Sequence, residues 1–140
     1  MYRSFFKDGR GVDGDAFKTF LRESYVYMPG MEKLLADCAE AIGRDRMHVL
    51  SNYPAWFSLV EEKLRLSSVL QWSFVSCNLG LRKPDRAIYD HASQALQARP
   101  DQLILIDDRE VNCKAALDAG FLDAIQFTTA ADVRERLAHH

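Results

Sequence analysis

Residues 103–120 read LILIDDREVNCKAALDAG. Four aliphatic residues, Leu103 to Ile106, run straight into Asp107 and Asp108, and a helical pattern begins directly afterwards. An apolar run bounded in this way predicts a buried strand at 102–106, a helix at 109–119 and a stop at Gly120. Two adjacent carboxylates at the end of such a strand are costly. At about 4 Å two like charges repel by about 4 kcal/mol at an effective dielectric of roughly 20. A cation beside them removes that cost, so the placement marks a site rather than a solvated loop.

The same alternation extends in both directions from this segment. PGMEKLLADCAEAIG, at 29–43, spaces Met31, Leu34, Leu35, Cys38 and Ile42 along one helical face and stops at Gly43. MHVL (47–50) is a short strand ending at Ser51-Asn52, and PAWFSLVEEKLRL (54–66) predicts a helix with Pro54 in its first turn. WSFVSC (72–77) is the next strand, NLGLRK a loop, and PDRAIYDHASQALQA (84–98) a helix. DAIQF (123–127) and AADVRERLA (130–138) give the last strand and helix. Strand and helix in turn mean right-handed crossovers, and hence an α/β fold: a Rossmann-like parallel sheet with helices on both faces. The first 28 residues differ, with many aromatics, several glycines and one predicted helix, DAFKTFLRES (15–24).

The 140 residues suit one domain, and 48% hydrophobic with 27% charged residues is an ordinary globular balance. A net charge of -2 gives no electrostatic case for nucleic acid or an anionic membrane. No apolar run is long enough to cross a bilayer, and no signal-peptide core opens the chain. Cys38, Cys77 and Cys113 are odd in number and lack metal-binding spacing, so reduced thiols and an intracellular setting are expected. Only His48 and His91 lie inside the chain, which argues against a histidine-rich zinc site or a Ser-His-Asp triad.

In an open parallel sheet ligands bind beyond the carboxyl ends of the strands. Three polar features fall there: Ser51 after the first strand, Lys83 in the loop after the second, Asp107 and Asp108 at the end of the third. Singly, a serine after a strand is a turn residue and a Lys-Pro pair a helix entry. Together, at three strand ends, they describe a phosphoryl site. The oxygen-only acids favour Mg²⁺. Lys83, if Pro84 opens a helix, sits beside the positive end of the helix dipole. Ser51, with Asn52 and the following amides, offers donors to a phosphoryl oxygen. Asn112 is expected on the first turn of its helix, facing the acidic loop, and Arg109 as a capping or solvated residue. Cys77 and Cys113 read as packing residues.

VLSN (49–52), GLRKPD (80–85) and LILIDDREVNCKAALDAG resemble motifs II, III and IV of the haloacid dehalogenase (HAD) superfamily of phosphohydrolases. SNYPAWFSLVEEKLRLSSVLQWSFVSCNLGLRKP (51–84) is similar to its plant plastid flavin mononucleotide (FMN) phosphatase group, and FFKDGR and YMPGMEKLL resemble that group's cap end and first core helix. The resemblance implies that residues 1–28 are the remnant of a cap domain and 29–140 a core carrying motifs II–IV. It implies Mg²⁺ on Asp107 and Asp108, phosphoryl binding by Ser51 and Lys83, and a tight loop permitted by Gly80. The substrate would be a small phosphorylated molecule, FMN-like, and the compartment plastid or cytoplasm. Tyr53, Trp56 and Phe57 are read as helix core in preference to a flavin platform.

The family's nucleophile lies in motif I, an apolar strand ending Asp-x-Asp. Here the sole such triplet is Asp13-Gly14-Asp15, with no strand before it, and it reads as a helix cap. The expectation is therefore a HAD-like chain without its first core strand, nucleophile or most of its cap, and inactive alone. Strands 47–50 and 103–106 then pair directly, leave a gap, or accept a strand from elsewhere, and an open edge invites self-association. The alternative is a non-catalytic half-domain that binds a partner chain. A phospho-receiver domain, which also uses an acidic pair and a Lys-Pro, is disfavoured because here the lysine precedes the acids.

Overall fold

The computed structural model describes residue 11 and residues 13–140. Helix α1 (Gly14–Ser24) is followed by α2 (Met31–Ile42), β1 (His48–Ser51), α3 (Phe57–Leu64), β2 (Gln71–Val75) and α4 (Ser76–Leu79). Then come α5 (Arg86–Ala95), β3 (Ile104–Asp107), α6 (Glu110–Asp118), β4 (Asp123–Gln126) and α7 (Ala130–Leu137). The α/β alternation expected from the sequence is present throughout.

The sheet is divided. β1 runs parallel to β2 with Leu50 opposite Phe74 and Ser51 opposite Val75. β3 runs parallel to β4 in unbroken register from Ile104 and Asp123 to Asp107 and Gln126. Among the described residues no ladder joins β1 to β3. Of the three arrangements open to these strands, the described residues show the gap.

Helices cover both faces. Side chains alternate along a strand, so Ile104 packs with Leu34 of α2 and with Ala130 and Val133 of α7, around Ile125. Leu105 points the other way, into Ile88 and Tyr89 of α5, Cys113 and Ala116 of α6, and Phe121. The Tyr89 and Phe121 rings meet edge-on, 5.7 Å apart.

Asp13 caps α1: its carboxylate accepts the amides of Asp15 and Ala16 at 3.0 and 3.1 Å. That is the role expected of it, and it leaves the side chain exposed on a helix end. Asp13→Ala should cost about 1 kcal/mol in chemical denaturation, the ordinary value of a lost cap. It should leave phosphate binding unchanged. The segment after α1 is tied to α3. Phe17 packs on Trp56 with centroids 5.9 Å apart, the Tyr25 and Tyr53 hydroxyls share a 2.8 Å bond, and the Tyr27 hydroxyl donates to Leu64 O at 2.9 Å.

Several boundaries differ from the sequence reading, each for a local reason. Pro54 precedes α3 instead of opening it, because a turn closed by Phe57 N–H on Pro54 O intervenes. The strand expected to run to Cys77 stops at Val75, since Ser76–Leu79 winds into a helical turn. Cys77 is thereby exposed and is not a packing residue, whereas Cys113 is buried. Trp56 is 40% exposed against α1, so only Phe57, beside Trp72, has the helix-packing role expected of all three aromatics. All three cysteines are free thiols. Among the described residues no helix is long and apolar enough to cross a membrane.

Candidate active site

The Lys83–Pro84 peptide is cis and α5 begins only at Arg86, with Asp85 as its cap residue. This corrects the picture of Lys83 beside a helix N-terminus opened by Pro84. The chain around Lys83 is instead held by Asn52. Its amide donates to Lys83 O at 2.7 Å and accepts Lys83 N–H at 2.8 Å. Both ends of the Asn52 side chain are thus engaged by backbone, and it positions the lysine instead of offering a free donor to phosphate.

So held, the Lys83 ammonium turns inward. It donates to the carbonyl of Leu50 at 2.5 Å and to Asp107 Oδ2 in an ion pair. One ammonium therefore links the carboxyl end of β1 to the carboxyl end of β3. Ser51 follows Leu50 on β1, partly exposed. The residues read from three strand ends do converge on one rim. The cation that relieves the acidic pair is, in the first instance, a lysine.

Asp107 is the most heavily bonded group of the rim. Its Oδ1 accepts the Arg109 amide at 2.8 Å and Asn112 Nδ2 at 2.8 Å, while Oδ2 takes Lys83. Burial alone would raise its pKa. The bonds from Lys83, the Arg109 amide and Asn112 outweigh it and hold the carboxyl below its ordinary value. Arg109 contributes through its backbone, as the cap residue of α6. Asp108 is exposed beside it. Asn112 is 2% exposed, its carbonyl holds the Tyr89 hydroxyl at 2.9 Å, and its Oδ1 has no partner among the described residues. The phenol of Tyr89 escaped the sequence reading; nothing in a helical Tyr marks a contact to a carbonyl 23 residues away. The Cys113 thiol is pushed up by burial and by Asp107, the reverse of what a nucleophile needs.

Gly80 ends α4 with φ +67, and a Cβ there would meet open space. The glycine supplies backbone conformation and not room. Gly80→Ala should therefore lower stability by about 1 kcal/mol, read as a shift in thermal midpoint. A groove of about 370 Å³ opens between this turn and the end of β1, lined by Asn52, Tyr53, Pro54, Ser76, Gly80 and Arg82 among others. A hollow of about 600 Å³ at the C-terminal end of α5, around Ser93 and Arg99, touches none of the strand ends and has no part in the site.

Mg²⁺ requires near-octahedral oxygen ligation. Asp107 and Asp108 offer oxygen donors of the right kind, but Lys83 and Asn112 occupy the Asp107 carboxylate. No group of three or more potential metal-ligating side chains exists among the described residues. Taken alone, the described residues do not complete a Mg²⁺ site.

No protein-family model matches the chain. It is 40% identical over 122 residues, 86% of its length, to flavin mononucleotide hydrolase 1, chloroplastic, of Arabidopsis thaliana, and covers 48% of that protein. It is also 32% identical over 78 residues to bifunctional epoxide hydrolase 2 of Mus musculus, covering 14% of it. The chain thus spans less than half the length of these curated relatives. Among solved structures, a HAD-family enzyme of Bacteroides thetaiotaomicron, in complex with magnesium and inorganic phosphate, superposes with TM-score 0.70 at 20% identity, over 86% of this chain and 63% of that one. A structure described as a dehalogenase with intermediate complex matches with TM-score 0.60 at 20% identity, over 76% of this chain and 55% of that one. The fold is that of the HAD-like hydrolases. The plant flavin mononucleotide hydrolase is a relative at 40% identity.

Proposed function

We propose that the chain supplies the motif II–IV half of a phosphomonoester hydrolase acting on a small phosphorylated substrate such as FMN. The observation that carries this reading is the Lys83 ammonium set between the Leu50 carbonyl and Asp107 at the strand ends. A phosphoryl dianion at that rim meets a buried cation and the Ser51 hydroxyl, donors whose value rises as water is excluded. Asp107 and Asp108 would hold Mg²⁺ once a further carboxylate joins them, and the ion would offset phosphoryl charge. Asn112 and Gly80 hold this rim in place and touch no substrate. The aspartyl nucleophile of the superfamily has no counterpart among the residues described, so the chain alone is inactive. The cap-end assignment of residues 1–28 rests in part on residues 1–10 and 12, which lie outside the described residues; residues 29–140 would be the core. Of the plastid and cytoplasmic settings, the name of the plant relative supports the plastid.

The test is hydrolysis of FMN and of a generic aryl phosphate, with Mg²⁺, by the chain as it stands. Phosphate release should stay at the no-enzyme background. Turnover that disappears in Asp107→Ala and survives in Asp13→Ala would reveal a nucleophile within the chain and overturn the assignment. A second reading, a non-catalytic half-domain that binds a partner or a second copy, is favoured by the edges of β1 and β3 that have no partner strand among the described residues.

A further inference from the structure

We propose that the groove beside the rim seats the leaving group of the substrate, a planar heteroaromatic ring with carbonyl acceptors on its edge, with Tyr53 as its wall and Arg82 as the donor to those acceptors. The inference rests on the phosphomonoester reading above and adds where the rest of the ester lies. The groove holds about 370 Å³, within the range of small-molecule sites, roughly 300–1,000 Å³. It adjoins the phosphoryl rim through Asn52, which lines the groove while its side chain grips the backbone of Lys83. An ester whose phosphoryl group meets Lys83 and Ser51 therefore has this hollow beside it. The hollow around Ser93 shares no residue with either.

Tyr53 precedes α3 and is held at both ends. Its backbone N–H donates to Ser76 Oγ at 3.1 Å, and its hydroxyl shares the 2.8 Å bond with Tyr25. Burial, and then the bond to Tyr25, push the phenol up to about 12, so the ring stays neutral at physiological pH. A half-buried ring fixed in this way stacks on a flat ligand at little ordering cost. Arg82 is exposed on the same groove and has no ion pair with a carboxylate among the described residues. Its neighbour Lys83 is buried and committed to Leu50 and Asp107. One loop thus supplies two cations with separate tasks. A guanidinium is planar, with several donors in a fixed fork, and it matches paired acceptors on the edge of a flat ring. Pro54 and Leu81 add apolar surface to the same groove.

The test needs no turnover. Riboflavin, which carries such a ring and no phosphate, is the probe, and the intact chain is the protein. Cys77 is an exposed thiol lining the groove, and Cys113 is buried, so alkylation read residue by residue by mass spectrometry reports occupancy. Riboflavin at about ten times its dissociation constant should slow alkylation of Cys77 by about tenfold and leave Cys38 unchanged. Arg82→Met should weaken riboflavin by about tenfold, the scale of one charge-assisted hydrogen bond. Tyr53→Ala should abolish the protection, and Tyr53→Phe, which keeps the ring, should retain it. Should Tyr53→Ala fail to fold, the exposed Arg82 still decides the matter. Absence of binding, binding that leaves Cys77 reactive, or binding unaffected by Arg82→Met would each overturn the subsite. FMN separates the two readings. If riboflavin protects Cys77 and FMN binds no more tightly, the subsite stands and phosphoryl binding at Lys83 falls. If FMN loses affinity in Lys83→Met while Cys77 stays reactive, the phosphoryl site stands and the subsite falls.

Discussion

Asp107→Asn should destabilise the chain by about 3–5 kcal/mol, the cost of removing one partner from a buried ion pair. The side chains of Lys83 and Asp107 are only 9% and 4% exposed. Neutralising the acid strands an ammonium whose remaining acceptor is the Leu50 carbonyl, and leaves the Arg109 amide and Asn112 on a weaker acceptor. Urea denaturation followed by circular dichroism measures the loss. The double variant Lys83→Met with Asp107→Leu should recover most of it, because well-packed apolar replacements of a buried pair are often neutral. A single variant as stable as its parent would show the pair to be solvated. The pH dependence carries the same sign. The folded-state pKa of Asp107 lies below its ordinary value. Its contribution is therefore fully present above the unfolded pKa of about 3.9 and fades as pH falls through the folded value. The acid limb of the stability curve should flatten in the double variant.

The fold class and the rim were legible because both rest on local pattern. The run Leu103–Ile106 with its terminal acids, the strand before Ser51 and the loop carrying Lys83 each declare a strand end within a few residues, and topology then gathers strand ends on one side. What stayed illegible is long-range. The amide of Asn52 looks like a phosphate donor until its partners, 31 residues away, are seen. Lys83-Pro84 reads as helix entry because a Pro at the first helical position is common, whereas α5 begins only at Arg86, with Asp85 as its cap residue. The turn of helix at Ser76–Leu79 is too short for periodicity to register, and its Ser76 hydroxyl meets the Tyr53 amide at 3.1 Å only in the folded chain. The divided sheet was open as one of three arrangements, since hydrophobicity alone does not say which strands lie side by side.

Chemistry should respond to Lys83 more sharply than to any other residue of the rim. In the hydrolase reading, with the aspartyl nucleophile supplied by the rest of the enzyme and Mg²⁺ present, Lys83→Met should lower turnover of an aryl phosphate by about 10²–10³, the scale of losing one preorganised donor to developing charge. Lys83→Arg should not rescue it. The ammonium fits as a point charge between a carbonyl and a carboxylate, and a planar fork needs parallel acceptors. Asn52→Ala keeps the cation and removes both tethers of its backbone. It should act through position, with a loss in turnover of about tenfold and a smaller change in KM. This ordering separates a lysine that meets the phosphoryl group from one that only braces the fold. A bracing lysine would lower stability in all three variants and leave turnover per folded molecule the same. Turnover must therefore be normalised to the folded fraction, measured by near-ultraviolet circular dichroism on the same samples. If Lys83→Met then retains turnover within about tenfold of the parent, the ammonium is a structural strut between β1 and β3, and the phosphoryl group binds elsewhere on the rim.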